Sequence, residues 1–405
     1  MKFALYHPWV YLNGGIERVL LELLRRSKHE WTLYTHHFDP DNTYPEFADF
    51  DVVELTPRVS VQRSFLPLVE AATTIARTRL PDDGRDGLLV SSEGLGDFIV
   101  ARETGPVVCY CHTPLKILHD TPTRQHLREQ SMHKYAALRL LGPAFSAADR
   151  AAWQQYTHIF SNSRQTRERI DAARLRPASD VEVLEAGVDT TRIKPGSSRR
   201  ERQFLVAGRI MWQKNIELAI DAVRLLAQQG IHAPLVIAGA VDRKSVPYLA
   251  ALRERAQGLP VRFVIRPSDD ELIELYRTSH AVLFTPRSED FGIVPLEAMA
   301  AGTPVLAVNN GGPCETVVDG VTGWLLPPTP QAFADQMRTL VHESFDMAFF
   351  RAAARRRANE FCWGRMVDRI DDVMAQVVVE GVAKKAPPPR LAPAASRPIA
   401  AAAPR

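Results

Sequence analysis

The sequence predicts an α/β protein with two doubly wound parallel sheets, each in its own domain. Short apolar runs alternate with longer amphipathic segments along the chain, and most of these runs are continuously apolar. Strands of parallel sheets have this composition because helices cover both of their faces. The 405 residues also exceed the roughly 100–200 residues of a typical single domain. A polar segment with Pro and Gly, Lys194–Arg202, divides the runs into two groups and is the predicted interdomain linker.

The predicted strands and helices alternate from one end of the chain to the other, as doubly wound sheets require. The predicted strands are Phe3–Tyr6, Leu88–Val90, Val107–Cys111 and Ile159–Ser161 in the first half, and Phe204–Ala207, Leu235–Ala238, Val261–Ile265, Ala281–Phe284 and Pro304–Val308 in the second. A helix is predicted over Ile216–Gln229, where the apolar residues repeat at helical spacing. Ligands are then expected in the cleft between the sheets, beyond the carboxyl ends of the strands.

Composition excludes several classes of protein. With 50 Lys+Arg against 47 Asp+Glu, the net charge of +3 argues against a nucleic-acid binder that relies on phosphate contacts. No run reaches the roughly 18 apolar residues of a membrane-spanning helix. The N-terminus lacks the apolar core of a signal peptide, and four cysteines make no disulfide framework, so we expect a cytoplasmic protein. The Pro/Ala-rich segment 383–405 is predicted to be disordered.

The segment Ala281–Leu326 contains the most informative candidate site. Glu289 is predicted in a loop after a strand, and Glu297 in the first turn of the following helix. The main-chain amides of Phe291–Ile293 stand at the positive end of that helix. Carboxylates accept protons from hydroxyl groups and free N–H groups bind phosphate, so this arrangement suits a polyhydroxylated anion. The alternative is that Glu297 only complements the helix dipole and that Glu289 is solvated.

Two cations follow the first strand of the second half. Gly208 and Arg209 come directly after Phe204–Ala207, and Lys214 and Asn215 lie shortly beyond. Glycine permits a close approach of the backbone, and two cations on such a loop can hold a diphosphate. The same pair would neutralise the charge of a departing nucleoside diphosphate without a metal ion. An ordinary basic loop is the alternative.

The first half offers weaker signals. Gly14 and Gly15 open a helix after the first strand, but the three glycines of a dinucleotide fingerprint are absent. His112 follows the strand Val107–Cys111 and is expected at the rim of the cleft, where a purely structural role is the alternative. Cys109 and Cys111 share one face of that strand and His112 takes the other, so these three residues are not predicted to ligate a metal ion.

Together these motifs resemble those of the family 4 retaining glycosyltransferases of the GT-B architecture. The family's Glu-x7-Glu motif corresponds to Glu289 and Glu297, and its Gly-Arg and Lys-Asn pairs to Gly208–Arg209 and Lys214–Asn215. Its N-terminal Gly-Gly-x-Glu-Arg motif corresponds to 14–18. The resemblance implies two Rossmann-like domains that face each other across a cleft. They would span 1–193 on the acceptor side and 194–345 on the nucleotide-sugar side, and 346–382 would form a helix that crosses back to the first domain.

The resemblance also implies a role for each site residue. Arg209 and Lys214 would bind the diphosphate of a nucleotide-sugar donor, with Gly14 and Gly15 close to its phosphates. Glu297 would hold the ribose hydroxyls. The groups implied at the transferred sugar are the side chains of Glu289 and His112 and the amides of Phe291, Gly292 and Ile293. Members of the family need no metal and no covalent nucleophile, because a leaving phosphate oxygen takes the acceptor's proton on the same face.

Two segments bear on the donor and the acceptor. The segments 284–313 and Tyr110–Asp120 resemble mannosyltransferases of lipid-linked glycan and O-antigen assembly, which favours GDP-mannose. Ile265–Pro267 departs from the Leu-Gly that relatives often carry beside the base. A lipid-linked acceptor would place the enzyme peripherally on the inner face of the plasma membrane. The basic segment Thr123–Leu140 would then present an interfacial helix face with Leu127, Tyr135 and Leu138, or it packs on its own domain.

Other functions stay open at the level of sequence. The same fold with a UDP-sugar donor is the nearest alternative. A nucleotide-sugar epimerase or hydrolase would turn over the donor without an acceptor, and a sensor or assembly subunit would bind the donor without transfer. A metal-dependent transferase of another architecture would use the Asp-x-Asp pairs Asp39–Asp41 or Asp49–Asp51, which otherwise form solvated loops.

Overall fold

A seven-stranded parallel sheet forms the first half of the protein. The computed structural model describes residues 1–61, 65–196, 201, 203–342 and 347–385. In spatial order the strands of this sheet run β3-β2-β1-β4-β5-β6-β7. They are β1 (Lys2–Tyr6), β2 (Glu30–Thr35), β3 (Val52–Glu54), β4 (Gly87–Ser92), β5 (Val107–Cys111), β6 (His158–Ser161) and β7 (Glu182–Val183). The helices are α1 (Gly15–Arg26), α2 (Phe65–Arg77), α3 (Lys116–His119), α4 (Thr121–Gln130), α5 (Met132–Trp153) and α6 (Arg164–Ala172).

A six-stranded parallel sheet forms the second half, in the order β10-β9-β8-β11-β12-β13. Its strands are β8 (Phe204–Ala207), β9 (Leu235–Gly239), β10 (Val261–Ile265), β11 (Ala281–Phe284), β12 (Val305–Val308) and β13 (Gly323–Leu326). The accompanying helices are α7 (Ile216–Gln228), α8 (Val246–Arg255), α9 (Asp269–Thr278), α10 (Ile293–Ala300), α11 (Pro313–Thr316) and α12 (Pro330–His342). The order of strands reverses between β8 and β11, so the loops after these two strands are neighbours.

The chain ends in two further helices, α13 (Met347–Asn359) and α14 (Trp363–Lys385), and the second of them packs on the first sheet's side of the molecule. The carboxylate of Asp371 on α14 accepts hydrogen bonds from Ser27 Oγ at 2.6 Å and from the Lys28 amide at 2.9 Å, both just beyond α1. The predicted disordered tail lies outside the described residues from 386 onward, whereas 383–385 are helical. Parts of the predicted linker, 197–200 and 202, also lie outside them.

The two sheets face each other with their carboxyl ends. Arg18 on α1 donates a hydrogen bond to Asp269 at the start of α9, with a distance of 2.9 Å between Nη2 and Oδ2. A Cβ atom added to Gly15 would lie 3.3 Å from the side chain of Ile293 on α10. The loops after β8 and β11 are therefore covered by the N-terminus of α1, and the candidate site lies between the two domains.

The segment 123–140 does not form one helix, and the face with Leu127, Tyr135 and Leu138 packs on its own domain, which was the alternative to an interfacial face. Ser131 breaks the segment, because this residue ends α4 and caps α5 through its side chain. Leu138 is buried, and Leu127 and Tyr135 are half-buried, so that face packs on its own domain. The exposed apolar residues of α5 are Met132, Leu140 and Leu141. Within the described ranges no helix has both the length and the apolarity to cross a bilayer.

Candidate active site

Glu289 lies in the loop after β11 and is not solvated, since only 19% of its side chain is exposed. Lys214 donates a hydrogen bond from Nζ to its Oε2 at 2.6 Å. Burial alone would raise the pKa of Glu289, but the charges of Lys214, Lys116 and Arg209 outweigh burial and hold this pKa below its usual value. Glu289 is therefore an anion at neutral pH, fixed in place by cations.

The N-terminus of α10 presents main-chain N–H groups beside Glu289. Gly292 caps this helix with φ of +89°, and a Cβ atom there would lie 3.1 Å from the ring of Phe284, so only glycine fits. No hydrogen bond from the amides of Phe291, Gly292 or Ile293 occurs among the described residues. These amides can donate hydrogen bonds to an oxygen atom of a ligand, at the positive end of the helix.

Gly312 packs against the loop that carries Glu289, and no sequence motif predicted this contact. Its N–H group donates a hydrogen bond of 3.0 Å to the carbonyl of Glu289. A Cβ atom on Gly312 would lie 2.4 Å from the carbonyl oxygen of Phe291, so a larger residue would displace the loop. The Gly-Gly pair before Pro313 was the available signal in the sequence.

Glu297 lies in the second turn of α10, not in the first turn as predicted, because the helix already begins at Ile293. Tyr276 on α9 donates a hydrogen bond of 2.7 Å from its hydroxyl to Oε2 of Glu297. Burial raises the pKa of Glu297, while the Tyr276 hydroxyl and the charge of Arg18 partly offset this. Glu297 is thus a half-buried hydrogen-bonding group and not a complement to the helix dipole. Tyr276 had no motif that could have singled it out.

The two predicted diphosphate cations lie on the loop after β8. Arg209 follows Gly208, which has φ of +117°. Its guanidinium group forms no hydrogen bond or ion pair with any residue that the structure describes. Thr285 donates hydrogen bonds to the carbonyls of Lys214 and Asn215, at 3.0 and 3.1 Å, and so fixes this loop against the strand β11. The arrangement leaves Arg209 available for an anionic ligand.

The glycine loop before α1 covers the site from the first domain. Glu17 in the first turn of α1 is 6% exposed. Burial raises the pKa of Glu17 to about 7, and the nearby charges of Arg209 and Glu93 act in opposite directions. A Cβ atom on Gly14 would lie 2.5 Å from Oε2 of Glu17, and Gly15 lies against Ile293. The loop therefore approaches the N-terminus of α10 closely.

His112 follows β5 and is nearly buried, with 6% of its surface exposed. Its Nε2 lies 2.8 Å from Oγ of Ser91, and its carbonyl accepts a hydrogen bond from Asn162 at 3.1 Å. Burial, with a smaller contribution from His7, lowers the pKa of His112 to about 3. The imidazole is neutral at physiological pH and suits hydrogen bonding better than proton abstraction. Its contact with a sugar stays a prediction.

The cysteines and the Asp-x-Asp pairs that were considered for a metal site do not lie on the loop that carries Glu289. Cys109 and Cys111 are buried free thiols. Asp39 accepts a hydrogen bond from Asn42, and Asp51 accepts one from Thr32. In the part of the chain that the structure describes, no three His, Cys, Asp or Glu side chains are grouped so that they could hold a metal ion.

The chemistry of the arrangement suits a nucleotide-linked sugar: a diphosphate at two cations, and hydroxyl groups at two half-buried carboxylates and a helix N-terminus. The fold is shared with solved structures of such enzymes. One is HepE of Anabaena with UDP and glucose (TM-score 0.68, 19% identity, 93% of this chain and 100% of that chain). Another is sucrose-phosphate synthase of Thermosynechococcus elongatus (TM-score 0.71, 19% identity, 94% and 100%). The fold is thus the two-domain GT-B fold, as predicted.

Two family models match consecutive parts of the chain. The model "Glycosyltransferase Family 4" matches residues 13–192, and "Glycosyl transferases group 1" matches 188–358. Together they span most of the chain, which belongs to the family 4 glycosyltransferases and is an enzyme of that family.

Curated relatives of two kinds are similar to this chain, the first over most of their length and the second over about half. Alpha-1,3/1,6-mannosyltransferase ALG2 of Homo sapiens is 27% identical over 382 residues, which are 86% of this chain and 89% of the relative. The corresponding protein of Neurospora crassa is 28% identical over 380 residues (78% and 77%). D-inositol 3-phosphate glycosyltransferase of Salinispora tropica is 33% identical over 225 residues, about half of each chain (49% and 47%).

Proposed function

We propose that this glycosyltransferase moves mannose from GDP-mannose to a hydroxyl group of a glycan or lipid-linked saccharide, with retention of configuration and without a metal ion. The observation that carries the proposal is similarity over most of the chain to alpha-mannosyltransferases. The chemistry of the site supports it, because two cations, two carboxylates and a helix N-terminus lie together in the cleft.

The donor diphosphate would bind between Arg209 and Lys214. Arg209 has no competing ion pair among the described residues, and Lys214 would share its charge between the diphosphate and Glu289. These cations would stabilise the negative charge on the departing GDP, which a divalent metal does in other transferases. Glu297, oriented by Tyr276, would accept the protons of the ribose hydroxyls.

The sugar would lie between Glu289, the amides at the start of α10 and His112. In the reaction the bond from the anomeric carbon to the β-phosphate oxygen breaks, and a bond from the same face to the acceptor oxygen forms. The proton of the acceptor hydroxyl passes to the β-phosphate oxygen of GDP. Glu289 stays a carboxylate that accepts hydrogen bonds from the sugar, in keeping with its pKa below the usual value.

The acceptor side would work at a membrane surface, on the cytoplasmic face of the plasma membrane. On α5, Leu140 is 78% and Met132 59% exposed, which is unusual for large apolar side chains. Arg124 and Arg128 on the neighbouring α4 are exposed and have no ion pair with the described residues. Apolar residues beside unpaired cations fit an anionic lipid surface.

Vesicle binding tests this part of the proposal. The double variant Leu140→Gln/Arg128→Gln should lose flotation with vesicles that contain anionic lipid, whereas Val379→Gln, an exposed apolar residue on α14, should not. Equal flotation of wild type and the double variant would contradict the membrane assignment.

Calorimetric titration tests the donor. GDP, UDP and ADP are added to the purified chain without metal, and GDP-mannose is then tested with lipid-linked saccharides as acceptors. Selective binding of GDP and transfer in the presence of EDTA are expected. Selective binding of UDP would overturn the choice of donor. Turnover of the donor without an acceptor would instead indicate a hydrolase or epimerase, and loss of transfer with EDTA would overturn the metal-free mechanism.

A further inference from the structure

The loop that carries Glu289 is held by the first domain on both sides of this residue. On one side, Ser288 donates a hydrogen bond of 2.8 Å from its hydroxyl to Oδ1 of Asp120, the residue that caps α4. The same hydroxyl accepts a hydrogen bond of 2.7 Å from Nη2 of Arg169 on α6. Two elements of the first domain therefore contact the position directly before Glu289.

On the other side, the carboxylate of Asp290 lies between two cations of the first domain. Nζ of Lys116 on α3 is 2.6 Å from its Oδ2, and Nη1 of Arg169 is 2.6 Å from its Oδ1. The main-chain carbonyl of Asp290 also accepts a hydrogen bond of 2.6 Å from Oγ of Ser163, which caps α6. All of these partners belong to the first domain, whereas Asp290 belongs to the second.

The side chains that form this contact are largely buried. Asp290 is 7% exposed, and the side chain of Arg169 is 20% exposed. In such a place a carboxylate with two cationic partners is well satisfied, but removal of one charge leaves the rest incompletely paired. Without Asp290, Arg169 keeps Asp120 at 3.6 Å as its charged partner, and without Arg169, Asp290 keeps Lys116. Lys116 also acts electrostatically on Glu289 itself. The pairing thus links the relative position of the domains to the position of the sugar-binding carboxylate.

We propose that Asp290 is a positioning residue, whose bridge to Lys116 and Arg169 holds the Glu289 loop and the start of α10 in the geometry for sugar transfer when the domains are closed. The role attributed to Glu289 rests on the proposed function. Asp290 does not touch the diphosphate cations, which lie on the loop after β8; Lys214 is linked to the bridge through Glu289 and not through Asp290 itself. Loss of the bridge should consequently impair turnover and leave nucleotide affinity almost intact.

Three variants and one matched control test the bridge. Asp290→Asn keeps the shape and removes the charge, Arg169→Met removes the partner, and Arg169→Lys keeps a cation. For Asp290→Asn and Arg169→Met we expect kcat to fall about 10- to 100-fold, the range for misplaced reacting groups. The Kd for the nucleotide should stay within about twofold. Arg169→Lys should recover part of kcat. The control is Asp270→Asn, whose carboxylate pairs with Arg192 at 3.1 Å and is 90% exposed, and it should behave as wild type.

The double variant Asp290→Asn/Arg169→Met separates a shared bridge from two independent effects. If both residues act through one contact, the double variant is no slower than the slower single variant. Multiplicative losses, or an unchanged kcat in Asp290→Asn, would overturn the proposal. A drop in nucleotide affinity equal to the drop in kcat would also overturn it, since it would assign Asp290 to general stability of the second domain.

Hydrogen exchange of the purified chain tests the bridge without reference to any substrate. Amides of 285–292 should exchange faster in Asp290→Asn than in wild type and in Asp270→Asn. Unchanged exchange would overturn the bridge even if the enzyme transfers mannose. Faster exchange together with a wild type that transfers no mannose would support the bridge and refute only the proposed function.

Discussion

The ammonium group of Lys214 lies 2.6 Å from the carboxylate of Glu289, and each group comes from a loop that follows one of two adjacent strands, β8 and β11. The predicted ligands of these residues, a diphosphate and a sugar, are adjacent in a nucleotide-sugar. In the proposed donor complex Lys214 would have two anionic partners instead of one. The ion pair holds both side chains in place without a ligand, which would reduce the cost of ordering them when the donor binds.

Removal of either diphosphate cation should weaken nucleotide binding. Arg209→Ala and Lys214→Ala should each raise the Kd for GDP by about 10- to 100-fold, as expected for the loss of charge-assisted hydrogen bonds. Lys214→Ala should also bring the pKa of Glu289 up, because burial is then less opposed. Titration calorimetry measures the first effect. Lys28→Ala, an exposed lysine paired with Asp372, serves as the control, and wild-type affinity in both cleft variants would refute the site.

Loss of the hydrogen bond from Tyr276 to Glu297 should weaken donor binding more than it destabilises the fold. Tyr276→Phe should raise the KM for the donor by about 3- to 10-fold, the value of one lost hydrogen bond, and Glu297→Ala should raise it further. Both variants should keep most of kcat. Steady-state kinetics check this, with Tyr248→Phe as a control for a tyrosine that hydrogen-bonds a carboxylate outside the cleft, that of Glu217. A fall in kcat with unchanged KM would assign Glu297 to the chemical step instead.

Most strands that the sequence predicted are continuously apolar, although β10 was predicted despite Arg262, and four strands were missed. All five predicted strands of the second sheet are present, within one residue at either end. β2 (EWTLYT) was missed because polar residues interrupt it, and β3 and β7 because they are only three and two residues long. β13 begins with a glycine and is half-buried at the sheet edge. Burial on both faces leaves a clear pattern in a sequence. The edge strands β3, β7 and β13 are short or only half-buried, and the edge strand β10 was recognised from its apolar residues.

The site could be predicted only where one short segment contains the chemistry. Glu289, Glu297 and the helix start lie within nine residues, and the cations follow a recognisable strand, so spacing alone brings them together. Tyr276 reaches Glu297 from another helix, and Arg169 reaches Asp290 from the other domain. Such contacts depend on tertiary packing, which local patterns do not encode.

His112 should act as a neutral group. Because the pKa of His112 is lowered to about 3, its charge does not change between pH 5 and pH 9, so it should contribute no step to the pH profile of kcat in that range. His112→Ala should lower kcat, and His112→Asn, which can still hydrogen-bond Ser91, should recover part of it. For stability, the depressed pKa favours folding above pH 6.5 and this contribution is lost as the pH falls towards 3. Wild-type turnover in His112→Ala would assign the residue to structure.

Glu17 should make donor affinity depend on pH. Its pKa of about 7 means that Glu17 is neutral below pH 7 and becomes an anion near Arg209 above it, where it competes with the diphosphate. The Kd for GDP-mannose should therefore rise between pH 6 and pH 8. The rise is at most about tenfold for each pH unit by which the bound diphosphate raises the pKa of Glu17. GDP-mannose is the suitable ligand, because the terminal phosphate of free GDP itself titrates near pH 6. Glu17→Gln should bind with the same affinity at both pH values, whereas Glu22→Gln, a buried glutamate on the same helix that pairs with Arg26, should keep the wild-type slope. A slope that persists in Glu17→Gln would assign the pH dependence to another group.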